Sequence, residues 1–296
     1  MDTLAGLVVA LMGRLPQRGE VVTDPSGVVT AVAFDLDGRQ TAITVDPGAG
    51  GLALATTYAY DDAGRVVTVT EGAGTSAARV TRYVYDQADR RTQTIVDPDG
   101  LALASSYAYD AVGNVVASTD PAGAVTRYVH DADDRLIYAV GPTGEVVANG
   151  YDGEGRLTST RRYAGLIAAA TLAALPLAIT AANVTGAVAV SPSDHVDSYV
   201  YDGDGRLRYT IDANAQLTAY TYDPVGNLIN TLQYAAPITT SASYTLASVQ
   251  ALISSLGLGS LAANRTTRSI YDTANRPAFT ISATGSVTAY TYDANG

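Results

Sequence analysis

Short stretches of alternating polar and apolar residues recur along the 296-residue chain, and most end in Tyr-Asp. In residues 126–131, 218–223 and 288–293 the pattern is Thr-x-Tyr-x-Tyr-Asp, with His130 in the second aromatic slot of the first. A period of two places successive side chains on opposite faces of a β-strand, so Thr126, Tyr128 and His130 share one face while Arg127 and Val129 take the other. Fifteen of the 20 Tyr residues fill these two slots. Stacked hairpins should therefore align columns of Tyr as cross-strand and near-strand pairs, each contributing ~0.2–1 kcal/mol. Shorter stretches rich in β-branched residues, such as 65–70 and 135–140, predict the return strands.

The turns fix the period. The dipeptides are Phe34-Asp35, Tyr60-Asp61, Tyr85-Asp86, Tyr109-Asp110, His130-Asp131, Tyr151-Asp152, Tyr201-Asp202, Tyr222-Asp223, Tyr271-Asp272 and Tyr292-Asp293, with Asp spacings of 26, 25, 24, 21, 21, 50, 21, 49 and 21. The third residue after each Asp is Gly38, Gly64, Asp89, Gly113, Asp134, Gly155, Gly205, Gly226, Asn275 or Gly296. Only residue types that tolerate a left-handed backbone occur there, which predicts a type I turn closed by a bulge at a hairpin tip. A second turn signal follows ten or eleven residues after the Asp, in Asp97-Pro98-Asp99-Gly100, Asp120-Pro121-Ala122-Gly123 and Gly141-Pro142-Thr143-Gly144, with Asp24-Pro25-Ser26-Gly27 ahead of the first repeat. Each unit of about 21 residues thus holds two strands and two turns, and no unit can bury its apolar face alone.

The spacings of 50 and 49 exceed the unit by 29 and 28 residues. Both insertions, at about 163–192 and 234–263, leave the pattern 11 residues after an Asp, at Tyr163 and Tyr234, where the second turn belongs. Growth at a turn leaves strand register intact. Residues 166–182 and 245–256 have helix-forming composition. In the latter Leu246, Val249, Leu252, Ile253 and Leu256 share a stripe, and Gly257 supplies a stop, so short helices packed on the sheet are expected. Residues 1–20 form a separate N-terminal segment. Its apolar run lacks the positive flank and cleavage site of a signal peptide.

Composition narrows the chemistry. All 18 basic residues are Arg, Cys, Lys and Trp are absent, and there are two His. This excludes thiol and lysine nucleophiles, disulfides and Cys-bound zinc. A net charge of −11 with scattered Arg repels nucleic acid. The uncharged stretch 163–193 is interrupted by Pro176 and Asn183, and its flanking repeats share one sheet, which argues against a membrane span. Asp35-Leu36-Asp37-Gly38 and Asp202-Gly203-Asp204-Gly205 begin like calcium loops, but Arg39 and Arg206 stand where an oxygen ligand is required, so these read as turns. His130 reads as an aromatic substitute. His195 lies near Asp194 and Asp197 without a nucleophile elbow to complete a triad. The pairs Asp61–Asp62 and Asp133–Asp134 read as turn residues rather than glycosidase carboxylates. Asn183-Val184-Thr185 and Asn264-Arg265-Thr266 are glycosylation sequons that matter only in a eukaryotic secretory context. No catalytic, cofactor or metal site is assigned.

The unit Tyr-x-Tyr-Asp-x-x-Gly-(Arg/Asn)-(Leu/Val), seen at 107–115 and 220–228 and followed by Asp-Pro-x-Gly, resembles the YD or RHS repeat of bacterial Rhs proteins, Tc toxin B and C components and teneurins. The resemblance runs from about Val21 to the C-terminus. It implies an all-β fold of antiparallel hairpin repeats in a spiralling strip or partial shell, with two short helical inserts, and in toxin members the shell encloses a toxic C-terminal domain. The family's self-cleavage segment ends in Asp-Pro-x-Gly-Leu. Residues 97–101 match only that tail, Thr92 replaces the motif's Pro, and ordinary repeats follow, so no self-cleavage is assigned. The chain stops at Gly296 in mid-turn and reads as a piece of a longer protein.

The expected role is a non-enzymatic wall segment of a secreted or surface-associated bacterial protein. Its partners would be the remaining repeats and an enclosed cargo, and the rival reading is a surface adhesin that binds carbohydrate or protein. Open sheet edges recruit other strands, so the isolated chain should self-associate. Light scattering should give an apparent mass that rises with concentration, and a constant single-chain mass would contradict this.

Overall fold

The computed structural model describes residues 21–23, 29–45 and 53–293. The 1–20 segment, the Asp24-Pro25-Ser26-Gly27 turn and Gly296 lie outside the described residues. The fold is all-β and antiparallel, in two compact units divided between Thr126 and Arg127.

In the first unit β1 (Val21–Thr23), β2 (Val29–Phe34), β3 (Gln40–Val45), β4 (Leu54–Tyr60), β5 (Val66–Glu71), β6 (Arg79–Tyr85), β7 (Arg91–Val96), β8 (Leu103–Tyr109) and β9 (Val115–Thr119) form a meander, each strand pairing with the next. Its core is small: Val32 and Ile43 are buried, with Phe34 and Tyr58 packed on them.

The second unit has the same pattern, in β10 (Val125–His130, in this unit from Arg127 onward), β11 (Leu136–Val140), β12 (Val146–Tyr151) and β13 (Leu157–Arg162). After the first insert come β14 (His195–Tyr201), β15 (Leu207–Ile211), β16 (Leu217–Tyr222) and β17 (Leu228–Gln233). After the second come β18 (Arg265–Tyr271), β19 (Pro277–Ile281) and β20 (Val287–Ala289). Sequential antiparallel pairing holds from β10 through β20, including across both inserts, where β13 pairs β14 and β17 pairs β18.

At all nine described Tyr-Asp tips the third residue after the Asp has positive φ, from 58° at Asn275 to 110° at Gly113. The hairpins also carry a feature that the spacing does not announce. Tyr60 pairs with Val66 while Ala59 pairs with Thr68, so Val67 is an extra residue in the return strand. The same shift recurs in every Tyr-Asp hairpin, a bulge that increases local twist.

The second turns vary in chemistry. At Asp120 and Asp212 the carboxylate accepts the backbone NH groups two and four residues on, at 2.9 Å. Gly141 has no side chain to do this, and the Glu145 carboxylate folds back to accept the Thr143 NH instead, at 3.0 Å. Asp97-Pro98-Asp99-Gly100 makes the expected turn, the Gly100 NH donating to the Asp97 carbonyl at 3.1 Å, but inside a longer loop. Six residues separate Val96 from Leu103, against five between Thr119 and Val125. The longer loop closes through Asp97 and Ala102, at φ 53° and 50°, while Gly100 keeps negative φ.

The helical expectation holds for the second insert, where α3 (Leu246–Ser255) buries Val249 and ends before Gly257 at φ 62°. Leu256 lies beyond the helix end and is 46% exposed, off the stripe assigned to it. The first insert holds two short helices rather than a helical stretch over 166–182. These are α1 (Ala169–Ala174) and α2 (Ala181–Thr185), separated where Pro176 removes a backbone donor. Thr180 with Asn183 and Thr245 with Ser248 form matching capping boxes at α2 and α3.

Both inserts cover the same sheet face. Val140, Val146, Ile167 and Val184 are buried together in one cluster, and Tyr209, Ile211, Leu217, Ile238 and Val249 in another. By strand alternation Tyr199, Tyr201, Tyr220 and Tyr222 point to the opposite face. The second unit's core therefore lies between the sheet and its inserts, away from the motif Tyr residues. Leu217 is 1% exposed, so Leu217→Ala should cost ~2–5 kcal/mol. Leu36, 90% exposed at a tip, should change stability by no more than about 0.5 kcal/mol when replaced by Ala. Urea denaturation of the two variants checks the contrast.

Candidate functional site

The repeated feature is the tip itself. At Asp61, Oδ1 accepts the NH groups of Ala63 and Arg65 at 3.1 and 2.9 Å, and Oδ2 accepts the Arg65 Nε at 2.8 Å. The arrangement recurs at Asp35, Asp86, Asp131, Asp152, Asp202 and Asp272 with Arg39, Arg90, Arg135, Arg156, Arg206 and Arg276. Where Asn replaces Arg, the Asn114 and Asn227 amides donate to Asp110 and Asp223 at 3.1 and 2.9 Å. A carboxylate that accepts two backbone donors and one side-chain donor is spent on holding its own turn.

The Arg then reaches the next hairpin. Arg39, Arg65, Arg90, Arg135, Arg156, Arg206 and Arg276 lie over the rings of Tyr60, Tyr85, Tyr109, Tyr151, Tyr201, Tyr222 and Tyr292, at 4.3 to 5.5 Å from the centroids. The ring's hydroxyl donates back to the carbonyl just past the Arg, as from Tyr60 to Gln40 at 2.6 Å and from Tyr85 to Val66 at 2.9 Å. Tyr109, Tyr151, Tyr201, Tyr222 and Tyr292 repeat the bond. Tyr271 keeps its bond to Leu228, while Asn227 reaches the next tip at Asn275. Arg65 and Arg90 also donate to the main-chain carbonyls of Asp86 and Asp110.

The expected Tyr columns are thus columns of Tyr and Arg. Directly across the strands Tyr83 faces Thr94, Tyr107 faces Ser118 and Tyr220 faces Thr231. Arg91 lies between the rings of Tyr83 and Tyr107, at 5.6 and 5.7 Å. Gly64, Gly155 and Gly205 turn the chain beside the preceding repeat's Arg, so a side chain there would meet both positive φ and that guanidinium. All the motif residues singled out in the sequence fall in this arrangement except the tip that Asp293 opens, which extends past the described residues. The Arg or Asn four residues after the Asp is part of the motif, but nothing in the spacing reveals that an Arg there spans two hairpins.

The remaining candidates are accounted for by packing. Asp194, its side chain wholly buried, accepts from the NH groups of Ala164 and Ser191 and from Arg161 at 2.9 to 3.1 Å, which closes the base of the first insert. Asp197 pairs with Arg162 at 2.7 Å, so both carboxylates flanking His195 are already engaged. Asn264 closes the second insert by accepting the Ala235 NH and donating to Leu258, and Asn183 belongs to the α2 cap. Arg127, 8% exposed, donates to the Leu175 and Pro176 carbonyls beyond α1, a role the sequence pattern did not signal. Within the second unit a cleft of about 410 Å³ opens beside the Asp212 turn, bordered by Asp197, Tyr199, Gln216, Gln233 and Arg265. Among the described residues no helix is long and apolar enough to cross a membrane, and no three His, Asp or Glu side chains are grouped to hold a metal.

Residues 109–146 match the family model for the RHS repeat. Over these residues the chain carries an RHS repeat. No curated protein matches its sequence. Among solved structures it is similar to the TcdB2-TccC3-Cdc42 crystal structure, with a TM-score of 0.58 and 15% identity over 91% of this chain and 14% of the other. It is also similar to TcdB2-TccC3 without its hypervariable C-terminal region, at 0.57 and 14% over 93% and 16%. For a Tc holotoxin pore of Photorhabdus luminescens the values are 0.58 and 15% over 90% and 14%. At this identity the likeness concerns the fold, and the chain spans about a seventh of the TcdB2-TccC3-Cdc42 chain's length.

The tip carboxylates titrate below the ordinary Asp value of 3.8. At Asp61 the Arg65 side chain is the main cause and its backbone NH comes next; at Asp86 the Arg90 NH leads. At Asp110 partial burial pushes the carboxyl up, and the donors from Asn114, Gly113 and Val112 outweigh it. Because these carboxyls bind protons less readily folded than unfolded, their contribution to stability is intact above the unfolded value. It is lost as pH falls through the folded values. Urea midpoints should be flat above about pH 5 and drop progressively in more acidic solution. Asp61→Asn should show a shallower drop.

Proposed function

We infer that this RHS-repeat segment builds part of the wall of a shell that encloses a toxin or effector, and that it does so without catalysis. The observation that carries this reading is the use of the motif: each recurrent Asp, Arg and Tyr is spent on its own turn or on the next hairpin. A repeat that uses its polar groups in this way continues a sheet from unit to unit and leaves no motif carboxylate poised for proton transfer. The fold likeness to TcdB2-TccC3 supports the same role, and on this reading the segment belongs to a secreted or surface-associated bacterial protein whose other repeats complete the enclosure.

The test uses the parent protein. Removing whole hairpins from residues 53–293 should expose its enclosed part to added protease at concentrations that the intact protein resists. If the shortened protein protects its interior equally well, the enclosure reading fails. Reproducible binding of the intact protein to a glycan array would instead favour an adhesin.

A further inference from the structure

The covered face of the second unit repeats in three registers, and only two are covered. In the first, Val129 pairs with Tyr138, Tyr138 with Ala148 and Val140 with Val146. In the second, Val200 pairs with Tyr209, Tyr209 with Ala219 and Ile211 with Leu217. In the third, Ile270 pairs with Phe279, Phe279 with Ala289 and Ile281 with Val287. The three platforms are all apolar at their centres and share the same cross-strand pairing. Their exposure differs sharply: Val140 is 0% and Tyr209 3% exposed, whereas Ile270 is 48%, Phe279 43% and Val287 61% exposed.

Each cover is attached in the same way. Tyr163 and Ile167 donate their NH groups to the carbonyls of Val146 and Gly144, and Tyr234 and Ile238 donate theirs to Leu217 and Ala215. Ile167 and Ile238 then bury their side chains, and a capped helix brings Val184 or Val249 down beside them at 0% exposure. Both inserts thus carry one pattern, Tyr-Ala-x-x-Ile followed by Thr-x-x-x-Val, and each follows a strand paired to the outer edge of its platform. On the third platform the corresponding carbonyls are those of Val287 and Gly285. The inner edge of β20 pairs with β19, and among the described residues no strand pairs with its outer edge. From Asp152 onward the inserts follow alternate Tyr-Asp tips, Asp152 and Asp223, and Asp293 holds the next place in that alternation.

We propose that the Ile270–Phe279–Val287 platform and the outer edge of β20 together form a docking site for one occupant, an RHS hairpin strand that carries an insert of the Tyr-Ala-x-x-Ile and Thr-x-x-x-Val kind. The strand extends the sheet in the register that Asp293 opens, and its insert covers the platform as the first two inserts cover theirs. The inference depends on the repeat fold and not on enclosure, so protection of a cargo bears on the other reading alone.

The chain contains no Cys, so Ile270→Cys gives a single thiol whose accessibility reads the platform directly. Its labelling by an aromatic disulfide is compared between the 296-residue chain and a chain in which a copy of residues 217–271 replaces residues 287–296. Both are measured where light scattering gives the mass of one chain. Labelling should slow by about tenfold or more in the extended chain, as expected when a side chain reacts only through local opening. Replacing the copied Ile238 and Val249 by Ser should restore fast labelling. A second extension, with residues 146–201 in place of 287–296, should slow labelling as well and guards against a fusion that does not fold. Equal labelling in the folded original and extended chains, or slowing that survives both Ser replacements, would overturn the proposal.

Discussion

The structure depends on a carboxylate that serves its own turn first. At each of the nine described tips the motif Asp satisfies at least two backbone NH groups, which would otherwise face solvent or be lost on packing. In seven hairpins it then fixes the Arg four residues on. An Arg held in this way has little freedom left to lose when it meets the next Tyr ring, so a local turn becomes a link between neighbouring hairpins. Exposed ion pairs considered singly contribute little to stability. Here their effect comes from repetition and from the geometry they impose on the ring and the hydroxyl that follow.

A division of labour between the faces follows from strand alternation. In the second unit the motif Tyr residues and their Arg partners lie on one face. The apolar clusters of the second unit form on the other, where the inserts supply the side chains that a two-strand repeat lacks. Ile167 and Ile238 occupy equivalent positions, and so do Val184 and Val249. The inserts are therefore elements of the core placed at a turn, which explains why strand pairing continues across them undisturbed.

Much of this was legible in the sequence, because turns are specified locally. Gly38, Gly64, Asp89 and Asn275 take positive φ for a reason visible in the residue type alone. The extra return-strand residue was not legible: Val67 looks like any other β-branched strand residue, and its offset arises from pairing with a distant partner. The extra length of the 97–102 loop was not legible, because Asp-Pro-x-Gly specifies the turn at 97–100 and not where the next strand begins. The Arg-to-Tyr link was hidden for a related reason. Spacing reports the distance along one chain, whereas Arg65 acts on a ring 20 residues further on. Arg127 is a stronger case, since its two carbonyl partners lie 48 and 49 residues away.

Glu145 has an evolutionary consequence. It supplies from the fifth position the oxygen that Asp120 supplies from the first, so the two positions are coupled within a single turn. Restoring Asp at position 141 while Glu145 remains would set two anions on one set of amide donors, and losing Glu145 while Gly141 remains would leave those donors without an anion. Drift between the two solutions therefore requires paired changes. Turns of this kind should preserve a record of ancestry among the repeats even where the strands between them have diverged.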